Sequence, residues 1–534
     1  MTIRINNISL SLDDDISLLK KKLAKKLRLR ENQLGKYKII KESLDARKKN
    51  NIKLNYAVEV NLENEEELVA KLKDNDVRID TSKYEPDFKI GTEELKHRPI
   101  VVGMGPAGLF AALFLARKGY KPLVIERGED VDNRTKRVEK FWKTGELDNN
   151  SNVQFGEGGA GTFSDGKLTT RIKDRRCDFI LEALVEHGAP SDITYKGKPH
   201  VGTDILKDVV KSIREEIKAL GGEVRFNSLL TGIKTENGHL VGAIVNGEEI
   251  PCEELILAIG HSSRDTYEML HKEGILMVPK AFAMGVRIEH LQSLINENQY
   301  GECSNHPKLN AAEYMLTYQD KEKNRGVYSF CMCPGGVVVG ASSEEGRLCV
   351  NGMSYHARDK QNANAAMVVT VSPEDFGSDH PLAGMYFQRH YEELAYKLGG
   401  GDYTVPVQLV GDFLEDRVST KLGRVTPSVG PKYAFRDLRQ CLPDFVVESL
   451  KEGLKNFDRK IKDYAAEDSV MTGIETRTSA PVTLKRTENL ESETLKGLYP
   501  AGEGAGFAGG IISAAVDGMK VAEKIMMKYK PFNN

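Results

Sequence analysis

Long hydrophobic runs, a cysteine framework and a strong net charge are all missing from this sequence. No stretch of eighteen apolar residues occurs in its 534, which excludes a membrane-spanning helix. Seven cysteines, odd in number and scattered, form no disulfide framework, so a reducing, cytoplasmic setting is expected. The start, MTIRINNISLSLDDD, lacks the basic-then-apolar pattern of a secretion signal. A net charge of −2 excludes a general affinity for nucleic acid. No metal site is expected.

What is present is a soluble, multidomain composition: 40% hydrophobic and 29% charged residues, in a chain long enough for two or three domains. Charge is uneven, because residues 1–60 hold 15 Lys/Arg against 7 Asp/Glu. In that segment IRINNISLSL alternates like a strand. Ile16, Leu19, Leu23 and Leu27 then recur at helical spacing, with aspartates before them and basic residues after. Two strands flank the basic turn Asp45–Asn51, and NEEELVAKLK reads as a second helix. The order β-α-β-β-α defines a small α+β module over 1–85, ending near Tyr84. The basic turn is read as a solvated hairpin tip, with RNA or an acidic protein as the alternative partner.

A sharper signal follows. RPIVVGMGPAGLFAALFLARKGYKPLVIERG gives a buried strand, then Gly103-x-Gly105-x-x-Gly108, a helix through Pro106 and Ala107 to Lys118, and a second strand ending at Glu126 and Arg127. Gly103 permits the tight turn, Gly105 lets a pyrophosphate approach the backbone, and Gly108 lets helix and strand pack closely. The helix start offers unpaired N–H groups to phosphate, and Glu126 stands where a carboxylate accepts from ribose hydroxyls. The motif with all its flanking elements indicates dinucleotide binding but does not separate NAD from FAD. Next, SNVQFGEGGAGTFSDGKLTTR concentrates Gly158, Gly159, Thr162, Ser164 and Lys167 in one loop suited to a second phosphate or ring-edge contact. EELILAIGHSSRD brings a buried strand to Gly260. Late in the chain, YPAGEGAGFAGGIISAAVDG repeats the strand–glycine–acid–glycine–helix order with Gly502, Glu503, Gly509, Gly510 and Ile511.

This ordered set resembles the Rossmann flavoproteins of the glutathione-reductase-like type, in which the late glycine unit returns to the first sheet and closes one FAD site. GEGGAGTFSDGKL, FAMGVRIEHLQ, YSFCMCPGGVVVGASSEEG, CVNGMSYHARD and ETRTSAPVTLKR further resemble the family of NAD(FAD)-utilising dehydrogenases, along nearly the whole chain. The resemblance implies non-covalent FAD, with Glu503 near the ribityl–phosphate part and the last helix pointing its positive end at the flavin N1/C2=O edge. It also implies a discontinuous FAD domain over 96–275 and 486–534, with an inserted β-rich (α+β) substrate domain over 276–485. The expected fold class is therefore α/β with two accessory domains. No second GxGxxG in strand–helix–strand context follows residue 260, so a nicotinamide, NADH or NADPH, would serve only as a transient donor in the substrate cleft. The substrate itself, a redox partner protein or another carrier are the other expected electron sources.

The insert must supply the chemistry. AFAMGVRIEH, AEYMLTYQD, GVYSFCMCP and GGVVVGASS read as strands of one antiparallel sheet, and LAGMYFQRHYEELAYKLG and DFVVESLKEGLKNFDRKIKDYA as amphipathic helices. Three residues are candidates for catalysis. Cys333 belongs to a Cys-Met-Cys stretch whose Cα atoms, in a regular strand, stand about 6.5–7 Å apart, too far for an unstrained disulfide. His290 follows Arg287 and Glu289, which share a strand face and are expected to pair; its imidazole suits acid–base work. Arg477, in GIETRTSAP, suits a substrate carboxylate or the flavin's negative edge. The expected function is an FAD-dependent oxidoreductase moving hydride between flavin N5 and a small substrate. An RNA-modifying flavoprotein, a redox-sensing FAD protein and a reductase of apolar isoprenoids are the alternatives.

Overall fold

A computed structural model describes residues 2–80, 88–430 and 432–532. In the first segment, Ile3, Ile5, Ile8 and Leu10 put one apolar face on the strand Thr2–Ser11, a bulge between Ile5 and Ile8 keeping the phase. Helix Leu18–Leu27 buries Leu19, Leu23 and Leu27 against it, whereas Ile16 precedes the helix and is exposed. A fourth strand, Val77–Asp80, extends the expected order. The antiparallel sheet runs Tyr37–Asp45, Lys53–Val60, Thr2–Ser11, Val77–Asp80. The expected boundary at residue 85 lies outside the described residues. The module is docked rather than free: Leu12 and Ile52 join the core of the inserted domain, and Glu42 exchanges backbone hydrogen bonds with Tyr195 and Gly197.

The second sheet is parallel, in the order Leu498–Pro500, Leu255–Leu257, Ile100–Val102, Leu123–Ile125, Glu223–Arg225. Its strands are only three residues long, and four of the five are wholly apolar and buried, as expected for a sheet covered on both faces. The strand order reverses between Ile100–Val102 and Leu255–Leu257, the switch point where ligands bind such sheets. The last strand in sequence therefore lies beside the earlier ones, and the late glycine run reaches the first. Helix Ile511–Lys528 packs on helix Pro106–Arg117; a side chain at Gly518 would collide with the Ala107 backbone.

The inserted part is built on a seven-stranded sheet: Thr317–Asp320, Arg325–Cys333, Asn362–Val371, Phe282–Leu291, Val470–Glu475, Val405–Leu409, Tyr433–Phe435. All neighbours are antiparallel except the last pair. Strand Val337–Gly340, expected in this sheet, instead pairs with Val350–Met353 as a separate ribbon. Helix Asp444–Asp458 packs one sheet face with Val446, Leu450, Leu454 and Phe457 in a large apolar core. The opposite face, carrying Ala283, Arg287, Tyr328 and Ala366, looks toward the parallel sheet. No helix among the described residues is long and apolar enough to cross a membrane.

Candidate active site

One cleft of about 580 Å³ runs from the carboxyl ends of the parallel strands to the polar face of the seven-stranded sheet. Gly103, Gly105, Pro106, Ala107, Glu126 and Arg127 line its first end, with Gly159, Ser164 and Lys167 from the second loop and Gly260 and Glu503 beside them. Gly509, Gly510 and Ile511 bring the start of the last helix to the same wall. Gly108, Gly158, Thr162 and Gly502 sit behind that wall and shape it. A Cβ on Gly108 would strike the Gly103 carbonyl, and Gly158 and Gly502 hold left-handed φ of 82° and 72°.

Glu126 knits the site. Its carboxylate accepts from the N–H groups of Met104 (2.8 Å), Gly128 (2.9 Å) and Gly156 (3.0 Å), fixing both glycine loops to one strand end. Gly159 approaches Gly105 so closely that a Cβ there would lie 2.9 Å from the Gly105 Cα. Arg134 completes the frame and carried no motif in the sequence. It is fully buried on an amphipathic helix, Val131–Thr144, and donates to the carbonyls of Asn152, Val153 and Glu157 at 2.6–2.9 Å. Arg127 stacks on Phe155 and pairs with Asp265 at 2.9 Å. His261, in the quoted GHSSRD stretch but not singled out there, lines the cleft 3.6 Å from Glu503, and its buried Nε2 has no hydrogen-bond partner.

The cradle fits a dinucleotide. Gly105 has φ −74° with only the Gly159 Cα, 3.8 Å away, near a Cβ placed there, and Gly260 and Gly509 have no atom within 4 Å of theirs. The empty space beside these backbones is what a pyrophosphate needs. Two helix starts meet there, and their first turns, from Ala107 and from Ile511 onward, carry the N–H groups that a helix start offers to phosphate.

At the other end the candidate catalytic residues separate. Arg477 lines the cleft, but its guanidinium is occupied: bidentate to Glu392 (3.0 and 2.9 Å), with Nη1 donating to Ser262 (3.1 Å) and Ser343 (2.5 Å). Glu392 also pairs with Arg264 at 2.8 Å. Burial works against its charge, yet the two guanidinium groups hold its carboxyl well below the usual carboxylate range. His290 does not reach the cleft. Strand alternation turns it to the apolar face, where Nε2 donates to the Tyr464 carbonyl (2.7 Å) and burial lowers its pKa to about 4. Arg287 and Glu289 do share the opposite face but are not each other's partners. Arg287 Nε lies 3.1 Å from Glu475, and Glu289 accepts from Ser428 and Asn362. Cys333 is buried behind the wall, and the thiol that lines the cleft is Cys331. The reason is a bulge between Phe330 and Cys333, with Cys331 at φ 43°, which breaks the alternation a regular strand would keep. Glu475 lines the cleft too; burial raises it to about 7 against the pull of Arg287. Among the described residues no cluster of His, Cys, Asp and Glu has metal-binding geometry.

Residues 97–283 match the family described as pyridine nucleotide-disulphide oxidoreductase, and 281–478 match an FAD-dependent protein, C-terminal domain-like family. Residues 2–61 match a domain of unknown function. An uncharacterised protein of Clostridium beijerinckii is 65% identical over 529 residues, 99% of either chain. The chain belongs to one family with that protein, a family of FAD-dependent oxidoreductases, and FAD is its cofactor. Digeranylgeranylglycerophospholipid reductase of Haloferax volcanii is 29% identical over 166 residues, 31% of this chain and 35% of that one. The alignment thus spans about a third of that relative's length. Among solved structures, glycine oxidase from Geobacillus kaustophilus has a TM-score of 0.36 at 10% identity, covering 83% of this chain and 97% of that chain. CtdE in complex with FAD has a TM-score of 0.31 at 14% identity, covering 82% and 87%.

Proposed function

We propose that this protein transfers hydride between FAD and a small organic substrate held under the seven-stranded sheet. The observation that carries the reading is the continuity of the cleft. The same wall that includes the glycine loops and the Ile511 helix start goes on to Tyr328, Phe330, Asn351 and Glu475. FAD bound there supplies hydride transfer at N5 of its isoalloxazine ring. The chain's residues do the rest. Gly103–Gly108 and the loop through Gly159 bind the pyrophosphate, with Glu126 keeping both loops in register. The start of helix Ile511–Lys528 favours negative charge at the ring edge. Tyr328 and Phe330 line the far end of the cleft, where they would cover bound flavin and exclude water, and Glu475, largely buried with Oε2 lacking a hydrogen bond, would hold or release a proton. Arg477, locked by Glu392 and two serines, positions this wall rather than clamping substrate. A nicotinamide reaches the cleft only from solvent, since the chain folds no second dinucleotide domain among its described residues.

The test separates the two ends. Phe330→Ala and Tyr328→Ala are expected to leave FAD affinity within about twofold. Both should slow anaerobic bleaching of the flavin by NADH or NADPH, or turnover with a substrate so found, by about tenfold or more. Loss of FAD affinity with unchanged bleaching would contradict this division of the cleft.

A further inference from the structure

Two stretches far apart in sequence, GEGGAGTFSDGKL and CVNGMSYHARD, meet in the fold at one buried ion pair. Asp165 ends the second glycine loop and lines the cleft between Ser164 and Lys167. Arg358, on the inserted part, grips both oxygens of that carboxylate. Its Nε donates to Oδ1 at 3.0 Å and its Nη2 to Oδ2 at 2.5 Å. The remaining nitrogen, Nη1, donates to Glu313 at 2.8 Å, so all three nitrogens of the guanidinium are engaged. Asp165 and Arg358 are both buried.

The backbone on the Arg358 side is shaped for this contact. Arg358 holds a left-handed φ of 50°, a conformation uncommon in residues other than glycine and concentrated at functional sites. Its turn is fixed from two sides: the Arg358 N–H donates to the Tyr355 carbonyl at 3.1 Å, and a Cβ on Gly335 would strike the Arg358 carbonyl. Beside it, two imidazoles lace the insert to the segment that pairs with the glycine loop. His200 Nε2 donates to the His356 carbonyl at 3.0 Å, and His356 Nδ1 to the Val201 carbonyl at 2.9 Å. The Val201 N–H donates in turn to the Gly166 carbonyl at 3.0 Å, and that of Leu168 to the Pro199 carbonyl at 2.9 Å. The loop at 164–168 therefore takes its place from the inserted part as well as from the parallel sheet.

Charge makes the pair more than a clasp. A carboxylate on the wall of a cleft that holds flavin opposes the negative charge the flavin gains on reduction. A cation held against that carboxylate cancels the opposition. Among the described residues, Arg358 is the cation paired with Asp165. Glu313 is the second acid of the group. Burial works against its charge, yet Lys167, Arg358 and Lys198 hold its carboxyl below the usual carboxylate range.

We propose that Arg358 is a positioning residue for the cofactor: it clamps the loop at 164–168 to the inserted part and cancels the Asp165 charge at the cleft wall. It thereby sets both the affinity for FAD and the ease with which bound FAD is reduced. The proposal rests on the FAD reading above.

The test measures the midpoint potential of FAD bound to the full chain at pH 8, against a reference dye, and FAD affinity by titration of flavin-stripped protein. Arg358→Gln is expected to weaken FAD binding by about tenfold or more. It should also move the flavin about tenfold toward the oxidised form, about 30 mV more negative for a two-electron couple. Asp165→Asn leaves the guanidinium in excess and should shift the potential the other way. Arg358→Lys keeps the cation without the fork, so it should hold the potential within about twofold of the wild-type ratio while still weakening FAD binding. A merely structural joint would not move the two charge variants in opposite directions. Potentials unshifted in Arg358→Gln and Asp165→Asn, or shifted the same way in both, would overturn the proposal. Should Arg358→Gln misfold, Asp165→Asn and Arg358→Lys decide, and an unshifted Asp165→Asn overturns it. If the wild type binds no flavin, the FAD reading itself fails; if it binds FAD and the variants match it, this proposal alone fails.

Discussion

At the scale of single residues, two glycines three positions apart in one motif have opposite roles, and the structure tells them apart. Gly105 lies in extended backbone with room for a methyl group, so Gly105→Ala is expected to keep unfolding free energy within about 1 kcal/mol while weakening FAD binding by tenfold or more. Gly108 has the Gly103 carbonyl where its Cβ would be, so Gly108→Ala should destabilise the fold itself by about 1–3 kcal/mol. Urea denaturation beside FAD titration of both variants checks the contrast. His290 gives a prediction in pH. Its folded pKa of about 4 lies below the ordinary histidine value of about 6.5, because burial keeps the ring neutral. Between those values the unfolded chain binds the proton and the folded one does not. Stability from this residue is therefore present above pH 6.5 and lost as pH falls toward 4, by about 3 kcal/mol. His290→Asn, which keeps a donor for the Tyr464 carbonyl, should lose that much less between pH 7 and pH 4 than the wild type. Equal losses would contradict the assignment.

At the scale of elements, helix Ala383–Gly399 is joined to the end of strand Val470–Glu475 through the Glu392 carboxylate, with Gln388 donating to the Thr476 carbonyl at 2.9 Å beside it. Glu392 binds Arg264, Arg477 and the Thr476 hydroxyl with no exposure to solvent, and Glu392→Ala would leave two buried guanidinium groups without it. A loss of about 3–5 kcal/mol is expected in chemical denaturation. A loss under about 1 kcal/mol would show that the network adds little. How far such elements can be read from sequence depends on whether their determinants are local. The strand–glycine–helix–strand run at 99–127 was legible because turn, helix start and terminal acid all lie within thirty residues. The late unit at 499–518 was legible from its residues as another glycine turn, but as part of the first site only through the resemblance, since its pairing with Leu255–Leu257 is a long-range contact. Val77–Asp80 stayed hidden, being four residues with alternating charge. The Cys331–Cys333 bulge was hidden for a different reason: SFCMCP reads as an ordinary strand with both cysteines on one face, and a single left-handed residue leaves Cys331 at the cleft and Cys333 buried behind it. His290 shows the reverse case, where strict alternation, applied one residue past Glu289, already turns the ring away.

At the scale of the whole molecule, the chain is arranged around one cleft. A parallel sheet interrupted in sequence forms one end of it and a seven-stranded sheet the other, and the basic N-terminal module docks on the inserted part through Leu12 and Ile52 and on the segment at Tyr195–Gly197 through the Glu42 backbone. The central claim is that residues four hundred positions apart form one FAD site. The most direct measurement is a visible-absorption titration of flavin-stripped protein with FAD, run on the wild type and on Gly105→Ala. The account predicts stoichiometric uptake by the wild type, with oxidised-flavin bands shifted from those of free FAD, and uptake weakened by about tenfold or more in the variant. Protein that is purified without flavin and leaves the spectrum of added FAD unchanged would contradict it.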